Sequence, residues 1–179
     1  LASSGYNFTN EAMAYAHSEP IEGGDFTSYL CKISKAGNTY IIAGVNERDK
    51  GKLYNTSVLI GPSGIIGKYR KLHLFYNEKL FFQPGDTVPQ VYDTPIGRLG
   101  MLICFDWMFP ELWRIMALKG CQLIAHPSNL VMPYAQRVIP SYSIINRIFI
   151  ITANRCGHER ELSFTGSSVI SNPRGQILS

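Results

Sequence analysis

The chain has 179 residues, of which 45% are hydrophobic and 17% charged, and its formal net charge is +4. That length suits one large domain with a real core, and no run approaches the roughly 18 consecutive apolar residues of a membrane span. The positive charge is densest in "KYRKLH" (Lys68 to His73), too narrow a basic face for nucleic acid, so neither membrane nor nucleic acid is expected as a partner.

Taken in chain order, Asp25 to Lys35 reads as a helix, with Phe26, Tyr29, Leu30 and Ile33 on one face and Gly37 as its stop. "TYIIAGVNE" (Thr39 to Glu47) follows as a strand. "LYNTSVLI" (Leu53 to Ile60) and "GIIGKYR" (Gly64 to Arg70) flank a hairpin turn at Gly61-Pro62-Ser63-Gly64. "LHLFYNEKLFFQPGD" reads as a long aromatic loop. "QVYDTPIGRLGMLIC" gives two strands around a turn at Pro95 to Gly97, the second running to Cys104. Beyond Cys104 a helix is punctuated by Pro110 and Glu111 at its start and Gly120 at its stop. Leu112, Ile115, Met116 and Leu118 form its apolar side. "CQLIAHP" is the next strand, so Leu99 to Pro127 makes a βαβ-like unit. Another helix spans Pro133 to Asn146, bent or broken at Pro140. "IFIITAN" is a buried strand and "SSVISNPRGQIL" a last hairpin. Without repeats or linkers, residues 1–179 form a single domain with α/β or α+β layering. The chain opens at Leu1 without methionine and stops at Ser179 inside a strand-like stretch, so both ends are expected to be cut. Such a piece is expected to be stable only with the missing parts or a partner.

The cysteines are Cys31, within a helix; Cys104; Cys121, after a helix stop; and Cys156, in a loop. Their wide, irregular spacing, with no C-x-x-C pair and no Cys–His grouping, argues against both a disulfide framework and zinc. Free thiols in a reducing cytoplasm, with no metal or cofactor, are the expectation. Most cysteines in apolar runs are core filler. Cys104 differs because it ends a strand, where open α/β sheets bind ligands, and precedes a helix whose free N–H groups favour a thiolate. The N–H of Phe105, just past the sulfur, is placed to stabilise an oxyanion. A nucleophile also needs a base and a charge stabiliser. His126, ending the neighbouring strand, is one candidate, and a structural histidine is as good a reading of it. Lys71 at a strand end and Glu78 seven positions on are another pair, for which a solvated face is the default.

The motifs together carry a resemblance. "GKYRKLHLF", "GMLICFDWMFPELWRIMALKGCQLIAHPSN", "ITANRCG" and "FTGSSVISNPRG", in that order across nearly the whole chain, resemble the nitrilase superfamily of carbon–nitrogen hydrolases. "CFDWMFPE" with "HPSNLVMPYA" is most similar to archaeal-type nitrilases and aliphatic amidases. The resemblance implies an α+β fold, a four-layer αββα sandwich, here incomplete at both termini and paired into a homodimer or higher homo-oligomer. It implies a Glu-Lys-Cys triad with no cofactor. Cys104 matches the nucleophile, Lys71 the lysine, and Glu78 a second acid beside the triad. The triad's own glutamate normally precedes a "GY" segment such as "LASSGYNF", which puts it upstream of Leu1. Neither Glu11 nor Glu19 replaces it.

The substrate implied is a small amide or nitrile, converted to acid and ammonia through a thioester. The aromatic loop at Phe75, Tyr76, Phe81 and Phe82 would shield the reaction. Many relatives carry an arginine shortly after the nucleophile, where this chain has Trp107 and Met108. That weakens an N-carbamoyl amide hydrolase and favours small neutral substrates, with Trp107 and Asn129 as pocket residues. Ile145 stands in "SIINR" where relatives often carry glutamate. Two alternatives stay open: a catalytically silent binding or assembly subunit of the same fold, and a Cys104–His126 hydrolase.

Overall fold

Asp25–Gly37, the long helix α2, is started from outside itself. The Glu19 carboxylate accepts the N–H groups of Phe26 (3.0 Å) and Thr27 (2.9 Å) and the Thr27 hydroxyl (2.7 Å), satisfying donors that the first turn leaves open. The helix ends at Asn38, which takes the left-handed conformation (φ 47°), so the stop is Asn38 and not Gly37. A short helix α1 (Glu11–Ala16), too short to show a periodic stripe, is capped by the Asn10 side chain accepting from Met13 N–H.

The computed structural model describes residues 2–179, which divide into two compact units, one ending at Thr87 and one spanning Val88–Ser179. In the first, β1 (Ile41–Asp49), β2 (Lys52–Gly61) and β3 (Gly64–Arg70) form an antiparallel sheet in the order β1-β2-β3. Lys50 (φ 49°) and Gly51 (φ 77°) make the two-residue β1–β2 turn, the double positive φ that tight hairpins require. The expected β2–β3 turn is present, with Gly64 at φ 118°. Leu30 of α2 packs with Ile21, Ala43, Val45, Val58 and Ile60 on one face of this sheet. A second cluster holds Phe8, Ala14, Leu53, Leu74 and Phe82. The expected long loop after β3 contains one helical turn, α3 (Glu78–Phe81), which α-helical periodicity is too short to reveal.

In the second unit, β4 (Val91–Thr94) and β5 (Gly97–Met101) form an antiparallel pair, and a 3₁₀ turn covers Cys104–Met108. Helix α4 (Pro110–Leu118) then leads to β6 (Leu123–Ser128), and α5 (Ala135–Asn146) to β7 (Phe149–Asn154). β5, β6 and β7 run parallel, so the βαβ unit is as expected, and β10 (Val169–Ser171) joins antiparallel to give the order β10-β7-β6-β5-β4.

Four sequence expectations need correction here. β5 ends at Met101, three residues before Cys104. The buried side of α4 carries Leu112, Trp113 and Met116, whereas Leu118 is 71% exposed. α5 begins at Ala135 and continues through Pro140. Cys156 lies not in a loop but in β8 (Cys156–Glu159), paired with β9 (Leu162–Thr165) in a separate hairpin. Among the described residues no helix is long and apolar enough to cross a membrane.

The basic cluster of β3 is turned to structure. Lys68 and Arg70, two apart and so on one face of the strand, both reach the carboxylate of Glu47, which also accepts from Thr56 Oγ1 (2.6 Å) and is 1% exposed. Arg70 bridges further to Asp49 (2.7 Å) and lies over the Tyr54 ring, 3.7 Å from its centre. Burial alone would raise the Glu47 pKa, but the Arg70 and Lys68 hydrogen bonds outweigh it and hold the carboxyl below its ordinary value of 4.5. A carboxyl depressed by folding contributes stability that is present above its unfolded pKa and lost as pH falls through the folded one. Urea unfolding is therefore expected to show wild-type stability falling as pH is lowered below about 4.5, with a shallower fall in Glu47→Gln, whose amide does not titrate.

Candidate active site

Lys71 directly follows β3, and its backbone N–H donates to the Asn55 carbonyl (2.8 Å), extending the pairing with β2 by one residue. The alternation of side chains along a strand turns Lys71 away from the Glu47 cluster. Its ammonium instead donates to both oxygens of Glu78, at 2.8 and 2.7 Å. The lysine side chain has no exposure and the glutamate 2%. α3 carries Glu78 into this position. The carboxylate also accepts Phe75 N–H (3.0 Å) and Asn55 Nδ2–H (3.2 Å), so its orientation is fixed from several sides. Neither residue is on a solvated face. The pair is a positive charge kept in a dry place by one well-bound counter-charge.

The second unit builds a different cluster. Cys104 opens the 3₁₀ turn with φ 44°, the left-handed region that costs a residue with a Cβ about 1–3 kcal/mol. It is 4% exposed. Reciprocal bonds brace the turn: Asp106 N–H donates to the Ile103 carbonyl (3.0 Å), and Ile103 N–H to the Asp106 carboxylate (3.0 Å). Trp113 Nε1–H donates to the Asp106 carbonyl (3.3 Å) and Tyr142 O–H to the Trp107 carbonyl (3.0 Å). The two rings of Trp113 and Tyr142 stack at 4.8 Å with 6° between their planes. His126, wholly buried, donates from Nε2 to the Cys104 carbonyl (2.9 Å). A carbonyl only accepts, so Nε2 carries the proton, and in the neutral ring Nδ1 accepts from the Thr152 hydroxyl (3.1 Å).

The other cysteine buried in this unit makes a useful contrast. Cys121 donates to the Leu123 carbonyl (3.2 Å), and burial pushes its thiol up to about 11. Cys31, Cys104, Cys121 and Cys156 are all free thiols.

The structure thus joins Lys71 with Glu78 in one unit, and Cys104, Phe105, Trp107 and His126 in the other. Trp107 is 9% exposed, while Met108 beside it is 44% exposed. Asn129 is half-buried directly after β6, next to Leu130, whose N–H donates to Asn154 Oδ1 (2.9 Å). The expected helix N-terminus at Cys104 is a 3₁₀ turn, and α4 begins only at Pro110. Two residues were missed. Asp106 had a signal, since an aspartate is able to accept the backbone N–H three residues before it, here that of Ile103. Asn55 had none, lying 23 residues from the Glu78 it contacts. No group of three or more His, Cys, Asp or Glu among the described residues is arranged to hold a metal ion.

A model of the carbon–nitrogen hydrolase family matches residues 1–179. The chain belongs to the carbon–nitrogen hydrolase family. It is 46% identical to a nitrilase of Pyrococcus abyssi over its full length, covering 68% of that protein. It is 35% identical to an omega-amidase of Homo sapiens over 87% of its length, covering 62% of that protein. A solved structure of an amidase variant from Nesterenkonia sp. AN1, with the acetamide moiety of fluoroacetamide covalently added at its active-site cysteine, superposes with a TM-score of 0.79 at 27% identity. That match covers 95% of this chain and 64% of the other. The chain therefore spans roughly two thirds of each relative's length, and its mixed helix-and-sheet fold is that of the nitrilase superfamily.

Removing one partner of a buried ion pair strands the other charge, which typically costs about 3–5 kcal/mol. Glu78→Gln is accordingly expected to lower urea-unfolding stability by that amount, and the double change Lys71→Met/Glu78→Leu to recover most of it. A loss under about 1 kcal/mol in Glu78→Gln would mean that the pair is wetter than its burial indicates.

Proposed function

We propose that the protein hydrolyses the carbon–nitrogen bond of a small amide or nitrile, with Cys104 as nucleophile and Lys71 as the fixed positive charge. The observation that carries this is the left-handed backbone of Cys104. Strain of that kind persists only where the surroundings enforce it, and it concentrates at sites that present a reacting atom. The buried Lys71–Glu78 pair supports the reading from the other unit, because a lysine kept from water is a costly structural filler and a useful electrostatic one.

The chemistry runs as follows. The Cys104 thiol proton passes to a carboxylate, which the family resemblance places ahead of Leu1. Sulfur bonds to the amide carbonyl carbon, and the carbonyl oxygen becomes an oxyanion stabilised by Lys71 and Phe105 N–H. The C–N bond breaks, nitrogen takes the proton and ammonia leaves a thioester. Water gives a proton to the same carboxylate and adds to the thioester carbon, the C–S bond breaks, the sulfur takes that proton back and the acid departs. A nitrile first gives a thioimidate, which takes up water and loses ammonia to reach the same thioester. Glu78 holds the Lys71 ammonium in place throughout.

Trp107 and Asn129 are proposed to line the substrate pocket. With Trp107 and Met108 at the positions where many relatives carry arginine, the reading favours neutral substrates over carboxylates. The names of the relatives, nitrilase and omega-amidase, leave both kinds of bond in scope. The reading carries with it a reducing cytoplasm, which keeps the thiols free, and assembly into a homodimer or larger homo-oligomer.

Ammonia release from a panel of small amides and nitriles tests it. The complete protein, carrying the residues that precede Leu1, is expected to turn over at least one class, and its Cys104→Ala variant to lose turnover entirely while keeping native circular dichroism. Lys71→Met is expected to lose at least about 100-fold in kcat, the scale for removing one oxyanion stabiliser. Persistent turnover in folded Cys104→Ala would sink the proposal.

A further inference from the structure

The peptide group joining Cys104 to Phe105 is one rigid plane. Its carbonyl belongs to Cys104 and its N–H to Phe105, and in a trans peptide the two point in opposite directions. Whatever fixes the carbonyl therefore fixes the N–H. The carbonyl is fixed by His126 Nε2–H at 2.9 Å. The imidazole is itself held: Nδ1 against the Thr152 hydroxyl at 3.1 Å, and the ring edge-on to Trp113 at 5.4 Å and 72°. His126 is wholly buried and Thr152 is 1% exposed. Parallel pairing of β6 with β7 sets His126 directly opposite Thr152, so two sheet strands carry the arrangement.

We propose that His126 is the positioning residue for the oxyanion. It acts through the Cys104–Phe105 peptide, aiming the Phe105 N–H away from the imidazole, while the Ile103–Asp106, Trp113 and Tyr142 bonds keep the turn itself. The inference rests on the assignment of Cys104 as nucleophile and adds a role for a residue that otherwise reads as its base. A bond donated to a carbonyl also draws charge from the whole amide, which makes the N–H on the far side a stronger donor. The imidazole thus needs no change of protonation during the reaction. His126 is not a proton carrier here, because its Nε2 proton is committed to the backbone carbonyl.

Two readouts on the same protein separate this role from others. Amide turnover passes through an oxyanion; alkylation of Cys104 by iodoacetamide, followed by peptide mass mapping to distinguish it from Cys31, Cys121 and Cys156, does not. His126→Leu is expected to lose about 10- to 100-fold in kcat with KM within about threefold, somewhat less than complete removal of an oxyanion donor. Its Cys104 alkylation rate and the pH profile of that rate are expected to stay within about threefold of wild type, since no oxyanion donor serves that displacement. His126→Gln, which keeps an N–H donor at similar reach, is expected to recover much of the loss. Thr152→Val, which frees the ring without removing it, is expected to lose about three- to tenfold in kcat and serves if His126→Leu fails to fold. Alkylation falling in step with kcat would place His126 on the sulfur and overturn the proposal, as would unchanged kcat or a Gln variant no better than Leu. Turnover that survives Cys104→Ala is a separate failure, that of the nucleophile assignment.

Discussion

A residue with a side chain does not stay in the left-handed conformation unaided, and the second unit is organised around keeping Cys104 there. One typical hydrogen bond contributes about 1 kcal/mol net, comparable to the strain, so a single bond would leave the turn loose. The turn has several: the reciprocal pair between Ile103 and Asp106, the Trp113 and Tyr142 bonds to the next carbonyls, and His126 on the cysteine's own carbonyl. Most of these are donated by side chains from α4, β6 and α5. The parallel sheet order matters for this reason. It brings the ends of consecutive strands to the same edge, where their side chains are able to reach one backbone turn.

The first unit solves a different problem with a similar device. An ammonium in a dry site loses hydration worth several kcal/mol, and only a well-made ion pair offsets that. Glu78 supplies both oxygens to Lys71, and Asn55 and Phe75 hold the carboxylate still. Glu47 shows the same logic one face away, with Lys68 and Arg70 as its cations. The difference is access: Lys68 is 41% exposed at its side chain, while Lys71 has no exposure. One cluster ties strands together, and the other withholds a charge from water.

Much of this was legible from residue patterns. Alternating apolar runs with glycine, proline and asparagine punctuation placed β3, α4 and the parallel β5–β6 unit, because those signals are local. Cys104 stood out for a local reason too, a thiol between a strand and a helix. What stayed hidden depends on long-range pairing. Asn55 contacts Glu78 across 23 residues, and His126 reaches the Cys104 carbonyl across 22. The ring of His126 was open to two readings because sequence does not say which atom of a neighbour a nitrogen meets. α3 and the β8–β9 hairpin are shorter than any reliable periodicity, and Leu118 looked like core because it follows Ile115 by three, although the buried face of α4 turns the other way, through Leu112, Trp113 and Met116.

The stacking of Trp113 on Tyr142 gives the turn a property beyond rigidity. The chain has 2 tryptophans, Trp107 and Trp113, and both sit in or against the turn that carries Cys104. Its tryptophan emission therefore originates beside the sulfur. An event that loosens this corner, whether a ligand, a modification of the thiol or local melting, is read out in the colour and intensity of that emission.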